Sequence, residues 1–213
     1  MSTVDATAGS AVPTGEAGRP PIVAFVCSAG GLEALMAILA TLPSSFPAAV
    51  VALRHQSPGY PSRVPEILGH RCALPVVAAR QGLELRGGVV VVVPPGVHVL
   101  VTNENRLALI ATDGTPPYRP SADLLLTSLA LVAAERTIAV ILSGGGHDGA
   151  TGASAVHELG GLVLASDEQS SKHFDMPAAA IARHEAVDFV LPVSGIGAKL
   201  VELIEHRHDP HQN

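Results

Sequence analysis

The sequence predicts an α/β fold: a doubly wound, mostly parallel sheet with helices on both faces and a marginal β-hairpin. Three observations carry this expectation. Short apolar runs alternate with helical patterns along the chain, the mark of βαβ units. Those runs are nearly continuous rather than alternating, so both faces of the strands are to be covered by helices. The composition fits, with 47% apolar residues, 21 Gly and 17 Pro in 213 residues, a blend of strands and tight turns rather than of a disordered chain. Aromatics make up only 3%, which leaves the core to aliphatic side chains.

Residues 1–20 are rich in Ser, Thr, Ala, Gly and Pro without an apolar period and read as a disordered leader, with one folded domain over 21–206 and a tail over 207–213. IVAFVC over 22–27 is a strand, and LEALMAILATL over 32–42 is a helix stopped by Pro43. AAVVAL over 48–53 is the next strand, followed by a Pro-rich loop and a short helix near 64–68. After Pro75 come GGVVVVVPPG and HVLVTNENRLALI; the Asn103-Glu104-Asn105 turn between two alternating runs predicts a hairpin at the margin of the sheet. The crossover rhythm then resumes: ADLLLTSLALVAAE as a helix, TIAVIL over 137–142 as a strand, ATGASAVHEL as a helix, and GLVLAS over 161–166 as a strand. A helix over 176–183, a short strand VDFVLP and a closing helix over 196–206 complete the domain.

The formal charge of −6 argues against a protein that wraps polyanions, because neutralising phosphates needs clustered Lys and Arg. Two cysteines, Cys27 and Cys72, make no disulfide framework, and Cys27 lies within an apolar strand where a small hydrophobe fits. No stretch reaches the roughly 18 apolar residues of a membrane span. The expectation is a cytoplasmic protein that binds no nucleic acid and does not insert into membranes.

In open α/β sheets, ligands bind beyond the carboxyl ends of the strands, so residues that directly follow strands are the ones to inspect. The first strand runs into Ser28-Ala29-Gly30-Gly31, the second into Arg54-His55-Gln56, and the 137–142 strand into Ser143-Gly144-Gly145-Gly146-His147-Asp148-Gly149. A Ser, a His and an Asp are thus expected at one sheet edge. The two glycines after Ser28 permit a sharp strand-to-helix turn that exposes the hydroxyl beside free helix amides, which suit an oxyanion hole. The G-x-S-x-G elbow is only half present, since Val26 stands at its first glycine. The competing role for Ser28 is a simple helix cap. His55 is a base within reach of Ser28 if the two strands are adjacent, or else a loop histidine bonded to its own turn. Asp148 is either the carboxylate that fixes the imidazole, or an N-cap of the helix that follows it. His147 competes for the base. The glycine-rich segment matches no phosphate-binding motif, and His206, His208 and His211 read as a solvated tail rather than a metal site. No cofactor or metal is expected. His98 and His157 suggest no partner.

With these motifs in place, the chain resembles the catalytic domain of the CheB family of chemotaxis receptor methylesterases. The resemblance runs from about Ile22 to the last helix and rests on the order and spacing of SAGGLEAL, VVALRHQSPGY, PPGVHVLV, RPSADLL, ILSGGGHDGATGASAVHELGG and ASDEQSSKHFDMPAAAI. It implies a serine hydrolase that removes methyl esters from glutamates on the cytoplasmic helices of chemoreceptors and deamidates glutamines there. Mapped residue by residue, it implies Ser28 as nucleophile, His55 as base and Asp148 as acid, with Ala29, Gly30 and Gly145 lining the oxyanion and substrate site. The chain departs from the family's usual pattern at three positions. Ala29 stands where a Thr follows the nucleophile, Gly145 where the family has Met, and Gln56 where Met follows the base. The leader is too short for the receiver domain that usually precedes this domain, so the expectation is a stand-alone esterase, open or governed by a separate regulatory protein. A non-catalytic binding descendant of the fold, or an esterase of a sensory pathway unrelated to motility, are the rival readings.

Overall fold

The computed structural model describes residues 18–57, 62–111 and 120–208. The expected leader lies almost wholly outside them. Among the described residues, strands β1 (Ile22–Cys27), β2 (Ala49–Arg54), β3 (Val76–Ala78), β4 (Val90–Val92), β7 (Thr137–Ile141), β8 (Leu162–Ser166) and β9 (Phe189–Leu191) form one sheet, ordered β3-β4-β2-β1-β7-β8-β9. Every pairing in it is parallel. Such strands need crossover connections, and helices supply them everywhere except between β3 and β4, where residues 79–89 cross without one.

The inner strands β4, β2, β1, β7 and β8 are buried on both faces because their alternate side chains enter two separate cores, while the edge strands β3 and β9 each leave a residue exposed. In β1, Ile22, Ala24 and Val26 face one core, shared with helices α3 (Ala122–Ala133), α4 (Ala150–Glu158) and α5 (Asp175–Ile181). Val23, Phe25 and Cys27 face the other, shared with α1 (Gly31–Leu39), α2 (Val64–Gly69) and α6 (Val193–His208). This is the physical reason the runs read as continuous rather than alternating.

The expected hairpin forms, set off from the main sheet. Strands β5 (Val97–Val101) and β6 (Leu107–Ala111) pair antiparallel as a separate two-stranded sheet rather than extending the margin of the main one. Val99, Val101 and Leu107 join the core shared with α3, and the Val101 amide donates to Ser128 Oγ of α3 at 3.0 Å. Apolar burial on the helix layer wins over edge pairing. Asn105 takes the left-handed conformation of the turn (φ 61°), which asparagine tolerates better than most residues. Helix α1 ends at Leu39, earlier than expected, and α6 begins at Val193, earlier than expected.

Strand order decides where a site can form. β2 lies on one side of β1 and β7 on the other, so the chain departs from the central strand in opposite directions. That reversal opens a crevice at the carboxyl ends of β1, β2 and β7.

Candidate active site

The Ser28 turn is built by backbone bonds. The Ser28 amide donates to Ser143 O at 3.0 Å, which ties the end of β1 to the end of β7. The Gly31 amide donates to Ser28 O at 3.1 Å and closes the turn. Gly30 sits at the N-cap of α1 with φ 74°, a backbone region that penalises any Cβ. A side chain there would also meet Lys172 Cβ at 2.6 Å and Ser143 Oγ at 2.9 Å. Ser28 is therefore not the cap of α1. Ala29 is exposed, and Ser28 and Gly30 are half-buried.

His55 directly follows β2, and its amide donates to Cys27 O at 2.9 Å, which holds its backbone beside the Ser28 turn. Its side chain is only 8% exposed, and its Nε2 lies 2.8 Å from Asp148 Oδ2. Gln56 turns elsewhere, its Oε1 accepting from Ser62 Oγ at 2.7 Å.

Asp148 does not cap the helix that follows it. Its carboxylate lies across the N-terminus of α3: Oδ2 accepts from the Ala122 amide at 2.7 Å, and Oδ1 from the Asp123 amide at 3.0 Å and Ser121 Oγ at 3.1 Å. Each such bond to a charged acceptor is worth roughly 1.5–3 kcal/mol, and the helix N-terminus adds a favourable dipole. Burial pushes the Asp148 carboxyl up, but the bonds from His55, Asp123 and Ala122 outweigh it and hold the group below the usual carboxylate range. Asp148 is thus an anion when it faces His55 Nε2, which makes that nitrogen the donor of the pair.

The glycine segment after β7 is roofed by the chain that follows β8. The Gly144 amide donates to His173 O at 3.0 Å, and the Met176 amide donates to Gly144 O at 2.9 Å. Ser143 Oγ, buried, donates to Ala29 O at 2.8 Å and accepts from the His173 amide at 2.9 Å. Gly145 is half-buried, and the nearest atom to a Cβ built on it would be Asp175 Oδ2 at 3.8 Å. His147, the rival base, is exposed.

The sequence-predicted residues therefore converge: Ser28 and His55 on adjacent strand ends, Asp148 on His55. Ser121, Asp123, Ser143 and His98 were not singled out as site residues. The Ser121 amide donates to His98 Nδ1 at 3.2 Å, which brings the hairpin into the layer behind Asp148. The signal was the Ser-Ala-Asp opening of RPSADLL, a serine and an acid at the start of an apolar helix. His157 stands apart, 3.5 Å from Asp188 Oδ1. No cluster of His, Cys, Asp and Glu among the described residues has a metal-binding arrangement.

Fold and crevice define a doubly wound α/β domain with Ser28, His55 and Asp148 gathered at the switch point of the sheet. The chain belongs to the CheB methylesterase family, whose profile matches residues 23–200. It is 39% identical over 188 residues to the protein-glutamate methylesterase FrzG of Myxococcus xanthus, covering 87% of this chain and 55% of that protein. It is likewise 39% identical over 182 residues to a protein-glutamate methylesterase/protein-glutamine glutaminase of Paramagnetospirillum magneticum, covering 85% of this chain and 51% of that one. The chain spans about half the length of these curated relatives. Among solved structures, the CheB methylesterase catalytic domain of Thermotoga maritima matches with a TM-score of 0.81 at 35% identity, over 86% of this chain and 98% of that one. No helix among the described residues is long and apolar enough to cross a membrane.

Proposed function

We propose that this chain is a catalytic domain that hydrolyses glutamyl methyl esters on the cytoplasmic helices of chemoreceptors, with Ser28 as nucleophile, His55 as base and Asp148 as the carboxylate that orients it. The observation that carries the reading is the 2.8 Å contact of His55 Nε2 with Asp148, on the strand end next to Ser28, in a chain of this family. Residues 21–206 are the domain that does this work, in the cytoplasm, without a cofactor.

With Nε2–H given to Asp148, Nδ1 takes the Ser28 proton as Oγ attacks the ester carbonyl. The tetrahedral oxyanion is met by amides at Ala29 and Gly30 and by the glycine segment around Gly145. Collapse expels methoxide, which leaves as methanol with the proton from Nδ1. Water then attacks the acyl-serine, giving its proton to Nδ1, and the second collapse restores Ser28 Oγ–H and frees the glutamate carboxylate. Asp148 stabilises the imidazolium formed in each half. A glutamine amide undergoes the same sequence with ammonia as the leaving group, the second activity named for the Paramagnetospirillum relative.

Methanol release from a methylated receptor fragment tests the reading. The expected result is turnover by the native chain that falls at least ~10³-fold in Ser28→Ala. Equal turnover by Ser28→Ala would rule it out.

A further inference from the structure

The N-termini of α3 and α4 exchange carboxylates. Asp148, on the turn before α4, accepts from the Ala122 and Asp123 amides that open α3. Asp123, in the first turn of α3, returns the exchange: its Oδ1 accepts from the Gly149 amide at 2.9 Å and the Gly152 amide at 2.8 Å. Gly149 is the N-cap of α4 and has no side chain to cap with, so Asp123 supplies from another helix what a local cap would. The helices approach closely enough for this because residue 152 is glycine. A Cβ there would stand 2.6 Å from Leu126 Cβ and 3.2 Å from both Cα and O of Asp123.

This arrangement is costly. Burial pushes the Asp123 carboxyl up, and the Asp148 charge beside it pushes the same way, against the two amides that lower it. Two facing carboxylates are a poor way merely to stabilise a helix pair. What the exchange does achieve is an Asp148 held at two points: its carboxylate is bound by α3, and the amide of the residue after it is bound by Asp123.

We propose that Asp123 is a positioning residue of the reaction, holding the turn that carries Asp148 so that Asp148 holds His55. The inference rests on the His55–Asp148 reading above. Asp123 acts only through Asp148, and it acts by accepting two amide protons, so asparagine serves in its place while alanine does not.

The test is a double-mutant cycle on methanol release, with a proton resonance as its second readout. Asp123→Ala is expected to lower kcat ~10-fold with KM changed less than ~2-fold, since misplacement of a catalytic group acts on the chemical step. In an Asp148→Ala background the same substitution is expected to change kcat by less than ~2-fold, because the interaction it serves is already gone. Asp123→Asn should restore kcat to within ~3-fold of the native chain. The low-field ring N–H proton of His55 should persist in the native chain and in Asp123→Asn and vanish in Asp123→Ala. If Asp123→Ala does not fold, Asp123→Glu, which moves the acceptor by one methylene, takes its place with the same expected outcomes. The proposal is overturned by a ~10-fold fall in both backgrounds, by Asp123→Asn behaving as alanine, or by a folded Asp123→Ala that keeps both kcat and the resonance. Should the native chain release no methanol, the esterase reading fails, and the resonance alone still decides whether Asp123 positions the pair.

Discussion

Alanine at Gly144 and alanine at Gly145, adjacent positions in one glycine run, are expected to differ sharply, the first damaging and the second nearly neutral to stability. A Cβ on Gly144 runs into Met176 Sδ and stands 2.8 Å from Ser28 Cβ and 3.0 Å from the Ser28 amide nitrogen. Carbon atoms pack at about 3.5–4.0 Å, so relief needs a shift of about 0.7 Å or more. Gly144 cannot supply that shift easily, because its amide is bonded to His173 O and its carbonyl to the Met176 amide. The displacement falls on Ser28 and on α5. Overpacking of this kind costs roughly 1–3 kcal/mol, which for a domain of this size lowers Tm by roughly 3–10 °C. A nucleophile moved by about 1 Å loses activity by about 10²-fold. At Gly145 the nearest atom to the new Cβ is Asp175 Oδ2 at 3.8 Å, an ordinary contact. There the change in stability should stay within about 0.5 kcal/mol. Thermal melts and methyl ester turnover of the two variants, measured side by side, check both halves. Equal losses at the two positions, or full activity in Gly144→Ala, would refute the close approach of the glycine segment to Ser28.

Two further outcomes follow from the site. Because the folded-state Asp148 carboxyl is held below its unfolded value of about 3.9, its contribution to stability is present above that pH and is lost as pH falls through the folded value. Urea midpoints measured between about pH 5 and pH 2.5 should therefore fall less steeply in Asp148→Asn than in the native chain, and identical slopes would contradict the charge-assisted bonds assigned to it. Burial pushes the Cys27 thiol up to about 12, so at neutral pH alkylation should leave Cys27 untouched in the folded protein and reach it only after denaturation. Ready modification of Cys27 in the native state would contradict its place beneath α1.

The parallel sheet was legible because its strands carry apolar side chains on both faces, and the first strand, 22–27, has the bounds the sequence gives it. The strand-end rule brought Ser28 and His55 to attention, since strand register makes Cys27 and Arg54 neighbours and so puts the next residues side by side. What local pattern cannot carry is contact across the layers. Asp148 looks like the cap of the helix it precedes, yet it serves a helix that begins 26 residues earlier in the chain. Asp123 returns the service from the other side, and neither spacing nor periodicity encodes that exchange. The hairpin was legible as a hairpin from its Asn-rich turn, but its seat on α3 depended on Val99, Val101 and Leu107 finding an apolar helix face.

The central claim is that Ser28 is an activated nucleophile, and labelling of the folded protein with a fluorophosphonate probe, read by mass spectrometry, tests it most directly. The account predicts one adduct, on Ser28, absent in Ser28→Ala and formed at least ~10-fold more slowly in His55→Ala, the loss expected when a general base is removed. A chain that takes up no probe, or takes it up on another serine, would contradict it.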